Sequence, residues 1–304
     1  MNIIKYKDVE FSPVLNSWYI SGIIDGEGCW TISISKNTNR TIGYIVSVSF
    51  EVALDTKDLN ILKGMLAYFT VGNIYKHSKN MMRYKVSSVK DIITNIIPHF
   101  DKYNLLTDKR NDFELFKKVI YILGKGPLTE ASLREVVSIK ASINKGLSYN
   151  LKSSFANIVP SKRLYKYSPL ETSLNPYWVL GFTEAEGNFY KGIYKKNVHK
   201  GYVRLVFTIT QHIRDKELLK SLVNFFNCGN FSTRKGNLAG DFKVTSFPDI
   251  RDSIIPFFNE HTLTGYKSKS FHNFCLVADI IKENKHLKSE GMDEIDSIIN
   301  KEYS

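Results

Sequence analysis

WYISGIIDGEG, residues 18–28, and YWVLGFTEAEG, residues 177–187, decide how this chain folds. Each is an apolar run at helical period that ends in an acid followed by glycine, and the two acids, Glu27 and Glu186, stand 159 positions apart. The chain therefore reads as two versions of one unit, each placing a carboxylate at a helix end. Gly22 and Gly26 in the first run, and Gly181 and Ala185 in the second, lie one turn apart and form a side-chain-poor stripe on one face. Helices striped in this way approach more closely than the usual ~8–10 Å between axes, because small residues let the backbones touch. These four positions are the expected helix interface between the units. Asn16-Ser17 and Asn175-Pro176 supply N-caps, the second with proline at the first helical position, and Gly28 and Gly187 fit the helix stop.

Two further matches extend the repeat. FTVGNIY (69–75) corresponds to FNCGNFS (226–232), and IIPHFDKYNLLTDK (96–109) to IIPFFNEHTLTGYK (254–267). After each motif the apolar period changes from helical to alternating, the sign of half-buried strands. Residues 29–35 and 44–53 read as one hairpin and 72–77 with 82–87 as a second; their counterparts are 188–195 with 202–210 and 229–233 with 242–246. Helices are expected over 57–69, 91–103, 109–123 and 128–144, with equivalents in the second half. The fold class is thus α+β, built as helix, hairpin, helix, hairpin, helices in each repeat. The repeats occupy residues 1–150 and 175–304, and the Ser/Pro/Lys-containing stretch 151–174, without clear period, reads as a linker.

Composition narrows the function. At 304 residues about two domains are expected, and 43% hydrophobic residues suffice for a core in each. A formal net charge of +12 favours a polyanionic partner. The three cysteines, Cys29, Cys228 and Cys275, are too far apart for a CxxC metal site or a disulfide framework. No run reaches the ~18 apolar residues of a membrane span, and the first residues lack a signal-peptide core or a transit-peptide pattern. Asn, Ile, Lys, Tyr and Phe, all with A/T-rich codons, are abundant, which an organellar (mitochondrial) gene would explain; a cytoplasmic protein from an A/T-rich genome would look the same.

Glu27 and Glu186 fall where the helix dipole is negative, which disfavours an acid by a few tenths of a kcal/mol. Bringing two such ends together adds carboxylate repulsion that a divalent cation relieves, and hard oxygen ligands point to Mg²⁺ rather than zinc. Asp25 and Glu184, two residues upstream, point off that face and read as structural. The paired motifs resemble the LAGLIDADG homing endonucleases, whose name spells the nine residues matched by 20–28 and 179–187, with Glu here replacing the final Asp of each. The resemblance implies pseudo-symmetric αββαββα repeats, each with a four-stranded antiparallel sheet forming a DNA-binding saddle, in a single-chain monomer. It implies that Glu27 and Glu186 hold Mg²⁺, or Mn²⁺, or Ca²⁺ in a non-cleaving complex, for phosphodiester hydrolysis. It places Lys109 and Lys267 near the scissile phosphates. It also makes Gln211 a water-organising residue whose first-half partner, Leu54, cannot hydrogen-bond.

Alternate residues of the strands are left for a ligand. In the first half these are Thr31, Ser33, Ser35, Ser47, Ser49, Glu51, Asn73, Tyr75, His77, Arg83, Lys85 and Ser87, with Asn37 and Arg40 from the polar loop. In the second they are Asn188, Tyr190, Tyr194, Arg204, Thr208, Asn230, Ser232, Arg234, Lys243 and Thr245. Two sheets with strands of ~8–10 residues, end to end, cover roughly 60 Å, or about 18 base pairs. The expected activity is site-specific cleavage of double-stranded DNA at a long asymmetric site, leaving 3′ overhangs. An intron RNA maturase on the same scaffold and a non-cleaving DNA-binding protein are the alternatives.

Overall fold

The computed structural model describes residues 3–6, 12–168, 174–197 and 200–303. The chain divides into two units, Met1–Tyr167 and Ser168–Ser304. In the first, strand β1 (Ile3–Lys5) precedes α1 (Ser17–Glu27), β2 (Gly28–Lys36), β3 (Tyr44–Asp55), α2 (Leu59–Phe69), β4 (Asn73–Lys76) and β5 (Met81–Val86). A helical run follows: α3 (Val89–Asp91), a π turn (Ile92–Ile96) and α4 (Ile97–Lys102). Helices α5 (Lys109–Gly124), α6 (Glu130–Ser142) and α7 (Tyr149–Ser154) complete the unit. The second unit repeats the order with α8 (Pro176–Glu186), β6 (Gly187–Asn197), β7 (Lys200–His212), α9 (Lys216–Phe226), β8 (Asn230–Thr233) and β9 (Ala239–Val244). It ends with α10 (Phe247–Asp249), a π turn (Ile250–Ile254), α11 (Ile255–Glu260), α12 (Lys267–Lys282) and α13 (Ser289–Tyr303).

Both sheets are antiparallel. The second has strand order β6-β7-β9-β8; the first has the equivalent order β2-β3-β5-β4 with β1 added beyond β4, pairing Ile3 with Tyr75 and Lys5 with Asn73. The expected four strands of the first unit are therefore five. Three residues, IIK, were too short a run to show a strand period.

The helices cover one face of each sheet, and aromatic side chains fill the space between. Trp30 stacks on Phe50 with ring centroids 4.7 Å apart, ringed by Phe100, Phe113 and Phe116. At the matching positions Phe189 stacks on Phe207 at 5.1 Å, ringed by Phe258, Phe271 and Phe274. The two cores are thus copies of one aromatic cluster, and such pairs prefer the offset and edge-on geometries seen here. The π turns arise from the shared IIP segments. A proline inside a helical run lacks the N–H for the preceding turn and its ring crowds the carbonyl four residues back, which a widened turn relieves.

The glycines after the motif helices act differently from a left-handed stop. Gly28 and Gly187 are extended, with φ of −69° and −80°. They are needed because the chain turns back onto its own helix: a Cβ on Gly28 would lie 2.4 Å from Ile24 Cγ2, and one on Gly187 2.5 Å from Thr183 Cγ2. The VGN/CGN match has the backbone reason instead, since Gly72 and Gly229 have φ of +84° and +76°.

Most of the stretch read as a linker is ordered on the first unit; its residues 169–173 lie outside the described residues. Helix α7 starts inside the expected first repeat and runs into the stretch. Beyond it, Ser138 Oγ donates to Val159 O (2.7 Å) and Ser142 Oγ to Ser161 O (2.7 Å). No helix among the described residues is long and apolar enough to cross a membrane.

Candidate active site and nucleic-acid interface

Helix α1 starts at Asn16, whose side chain accepts from Trp18 N, and α8 at Asn175, which accepts from Tyr177 N; both helices end at the motif glutamates. Glu27 is exposed and Glu186 half-buried, whereas Asp25 and Thr183 inside the same last turns are fully buried. Asp25 is an anchor. Its carboxylate accepts from Leu106 N (2.8 Å), Thr107 N (3.0 Å) and Thr107 Oγ1 (2.6 Å). Glu184 does the same in the second unit, accepting from Thr264 N (3.0 Å) and Gly265 N (3.1 Å). The upstream acids therefore hold the turns that lead into α5 and α12.

Those turns deliver the lysines. Lys109, first residue of α5, sends its ammonium back to the end of α1, where Nζ donates to Gly26 O and to Ile24 O (3.3 Å). Lys267, first residue of α12, donates to Gly187 O (2.6 Å) and Ala185 O (3.3 Å). An ammonium on the last carbonyls of a helix satisfies orphan acceptors and offsets the negative end of the dipole. Each unit thus assembles one carboxylate and one ammonium at a single helix end. Gln211 joins the second set, its Nε2 donating to Glu186 Oε1 at 3.4 Å, while its Oε1 accepts from His212 N. Gly22 and Gly181 are buried, Gly26 and Ala185 partly so.

On the sheet faces away from the aromatic cores, the first unit presents Ser33, Ser35, Ser47 and Ser87 exposed, and Thr31, Asn73, Tyr75, Arg83 and Lys85 partly exposed. His77 and Arg40 are exposed, and Asn37 steadies its loop by accepting from Asn39 N (3.0 Å). Ser49 and Glu51 share this face but are buried, at 3% and 9% exposure. Glu51 is ion-paired with Arg83 (3.0 Å) and Lys85 (2.8 Å) and accepts from Ser49 Oγ (2.7 Å). Burial pushes its carboxyl up, but the hydrogen bonds from Lys85 and Ser49 and the charges of Lys85 and Arg83 outweigh that and hold it below the usual range. Its geometry is that of a holder of cations.

In the second unit Asn188, Tyr194, Asn230, Ser232, Arg234 and Thr245 are exposed, and Tyr190, Arg204, Thr208 and Lys243 partly exposed. Tyr194 stacks on Tyr202 at 5.3 Å, and its hydroxyl is 3.1 Å from that of Tyr190. Arg234 is held by Asp241 (2.9 Å) and donates to Thr210 Oγ1 (2.8 Å). Sequence reading missed Asp241, Thr210 and Tyr202, although each lies two residues along a strand from a residue it named, which was the available signal.

The model of the LAGLIDADG endonuclease family matches residues 20–120 and 179–278, covering both motifs and both lysines. The chain belongs to that family. Among its LAGLIDADG relatives, "Probable intron-encoded endonuclease 3" of Neurospora crassa is 34% identical over 289 residues, 94% of this chain. A second Neurospora crassa protein, "Probable intron-encoded endonuclease 2", is 35% identical over 92% of the chain. The chain spans only 54% and 64% of the lengths of these two relatives. Among solved structures, the I-SmaMI LAGLIDADG homing endonuclease bound to cleaved DNA is 36% identical with a TM-score of 0.90, covering 93% of this chain and 95% of that one. I-LtrWI bound to target DNA is 41% identical with a TM-score of 0.89, covering 94% and 96%.

Proposed function

We propose that this protein is a site-specific, divalent-metal-dependent endonuclease that makes a staggered double-strand break with 3′ overhangs in a DNA site of about 20 base pairs. The observation that carries this reading is the repeated helix end, where a motif glutamate stands beside a lysine docked on the same helix's last carbonyls. Similarity to DNA-bound neighbours supports it. In this reading the outward sheet residues contact the duplex, and the striped helices Gly22/Gly26 and Gly181/Ala185 bring the two glutamates together in a monomer. Repeats at 1–150 and 175–304 each supply one half-site.

The residues suit a hard cation. Among the described residues no three His, Cys, Asp or Glu cluster as a preformed metal site. Glu27 and Glu186 are open to solvent in part, and such a sparse, all-oxygen donor set fits Mg²⁺, which keeps several waters and takes phosphate oxygens. I-SmaMI has been solved bound to uncleaved DNA target in the presence of calcium ions, which supports Ca²⁺ as the ion of a non-cleaving complex. When bound, the cation supplies an activated water and a charge partner for the leaving oxygen. Glu27 and Glu186 hold it, Lys109 and Lys267 place positive charge beside the phosphates, and Gln211 orients water on the Glu186 side. Intron-encoded relatives support a mitochondrial origin.

The test is Mg²⁺-dependent cleavage of a randomised duplex library of ~20 base pairs. Wild type is expected to cut a defined site, and Glu27→Gln or Glu186→Gln to lower the rate by at least about 10³-fold, as loss of a metal-held transition state demands, while binding in Ca²⁺ persists. Tight specific binding without cutting under any divalent ion would leave a DNA-binding protein. Splicing of an intron transcript by the same preparation would add intron RNA as a partner.

A further inference from the structure

Beyond its hydrogen bonds to α6, the stretch that joins the two repeats is fastened to the first unit at the N-terminal end of α5. Arg163 lies at the centre. Its Nη2 donates to Asp108 Oδ2 (2.7 Å) and Asp108 O (3.1 Å), and its Nη1 to Asp112 Oδ1 (2.5 Å) and to Ser142 O (2.7 Å). Two residues on, Tyr165 and Asn111 bond each other in both directions: Tyr165 N donates to Asn111 Oδ1 (2.8 Å) and Asn111 Nδ2 to Tyr165 O (3.0 Å). Tyr165 Oη donates to Leu106 O (3.2 Å), and Arg110 lies 4.5 Å from the centre of its ring.

Every one of these contacts except Ser142 O falls on residues 106–112, the segment that contains Lys109 and the two amides held by Asp25. Arg163 ion-pairs with both carboxylates of that segment, Asp108 and Asp112, at the helix N-terminus where Asn111 also donates to Asp108 Oδ1 (2.7 Å). A bidentate guanidinium is the group that neutralises two carboxylates while fixing their geometry. The second unit has no such need, because Tyr266 and Ser270 stand at the positions of Asp108 and Asp112. We propose that residues 161–167 form a strap that positions the Lys109 ammonium on the end of α1, with Arg163 as its positioning residue, so that the connector tunes the first catalytic half alone.

The proposal rests on the nuclease reading for its consequence but not for its geometry, and the full-length protein tests both. Arg163→Gln and Asp112→Asn are compared with wild type on a duplex selected by wild type in Mg²⁺ and labelled on each strand. The expected result is unchanged Ca²⁺ binding within about twofold, and cleavage of one strand slowed at least about tenfold, so that nicked duplex accumulates; Arg163→Lys recovers part of the rate. Equal slowing of both strands, or no slowing, overturns the strap. Amide exchange gives the second readout: at Leu106, Thr107 and Lys109 it should accelerate at least about tenfold, with Thr264 and Gly265 unaffected. Unchanged exchange at 106–109 overturns the proposal whether or not the protein cuts DNA. If wild type cuts neither strand, the nuclease reading falls and the exchange result alone decides the strap. Should Arg163→Gln not fold, Asp112→Asn, which keeps Arg163 on Asp108, is held to the same outcomes.

Discussion

His99 shows what a single residue does beneath the first motif helix. It is 6% exposed, with Nε2 3.2 Å from Ser21 Oγ and Nδ1 3.0 Å from Tyr68 Oη; Ser21 Oγ donates in turn to Tyr103 O (2.7 Å). A neutral imidazole satisfies this network, and burial pushes its pKa down to about 3. The unfolded chain takes up a proton near pH 6.5 that the folded one refuses, so stability is full above pH 6.5 and falls as the pH drops toward 3. The expected slope is up to about 1.4 kcal/mol per pH unit below ~6, measured by urea unfolding between pH 7 and 5. His99→Phe, which installs the residue found at the matching Phe257, should flatten that dependence. Sequence reading could not see this network because its members are 31 to 82 positions apart. The structural role of Asp25, by contrast, was legible from its place on the helix face, although its partners 106 and 107 were not.

Among elements, the helix-to-strand passages 27–28 and 186–187 leave no room for a side chain. Gly28→Ala puts a Cβ 2.4 Å from Ile24 Cγ2 and 2.7 Å from Ile24 O, a collision with backbone that no rotamer relieves. Shifting β2 away from α1 to make room is expected to cost at least about 2 kcal/mol, in the range of overpacking and strain, seen as a lower urea midpoint together with loss of activity. The glycines were evident as a repeated sign; their reason was not, because it is a contact between elements and not a φ value. Strand alternation placed the outward side chains of β2 and β6 but did not foretell burial or polarity in two places. Ser49 and Glu51 are outward in parity yet buried, Glu51 by the cations it holds and Ser49 as its hydrogen-bond donor. Lys191 is inward in parity and 5% exposed, its ammonium 3.4 Å from Ser270 Oγ and 3.5 Å from Phe189 O. Both depend on cross-strand or helix partners, which period alone does not encode.

At the scale of the whole molecule, the net charge of +12 must be met by many phosphates if DNA is the ligand. With about 6–10 phosphate contacts, affinity for a specific duplex should fall roughly 10³–10⁵-fold between 50 and 200 mM salt; titration by fluorescence anisotropy across that range checks it, and a flat response contradicts the basic sheet faces as the binding surface. The sequence by itself determined the α+β class, the doubling of the unit, the family and the identity of the motif glutamates, because hydrophobic period, caps and a repeat spacing are local properties written along one chain. The tertiary structure alone decided that Lys109 and Lys267 dock on helix carbonyls, that Glu51 and Asp241 hold arginines, that a fifth strand joins the first sheet, and that the connector is a strap. Each of those facts is a partnership between residues far apart in the chain or hidden from its period, and such partners are chosen by packing and charge only once the chain has folded.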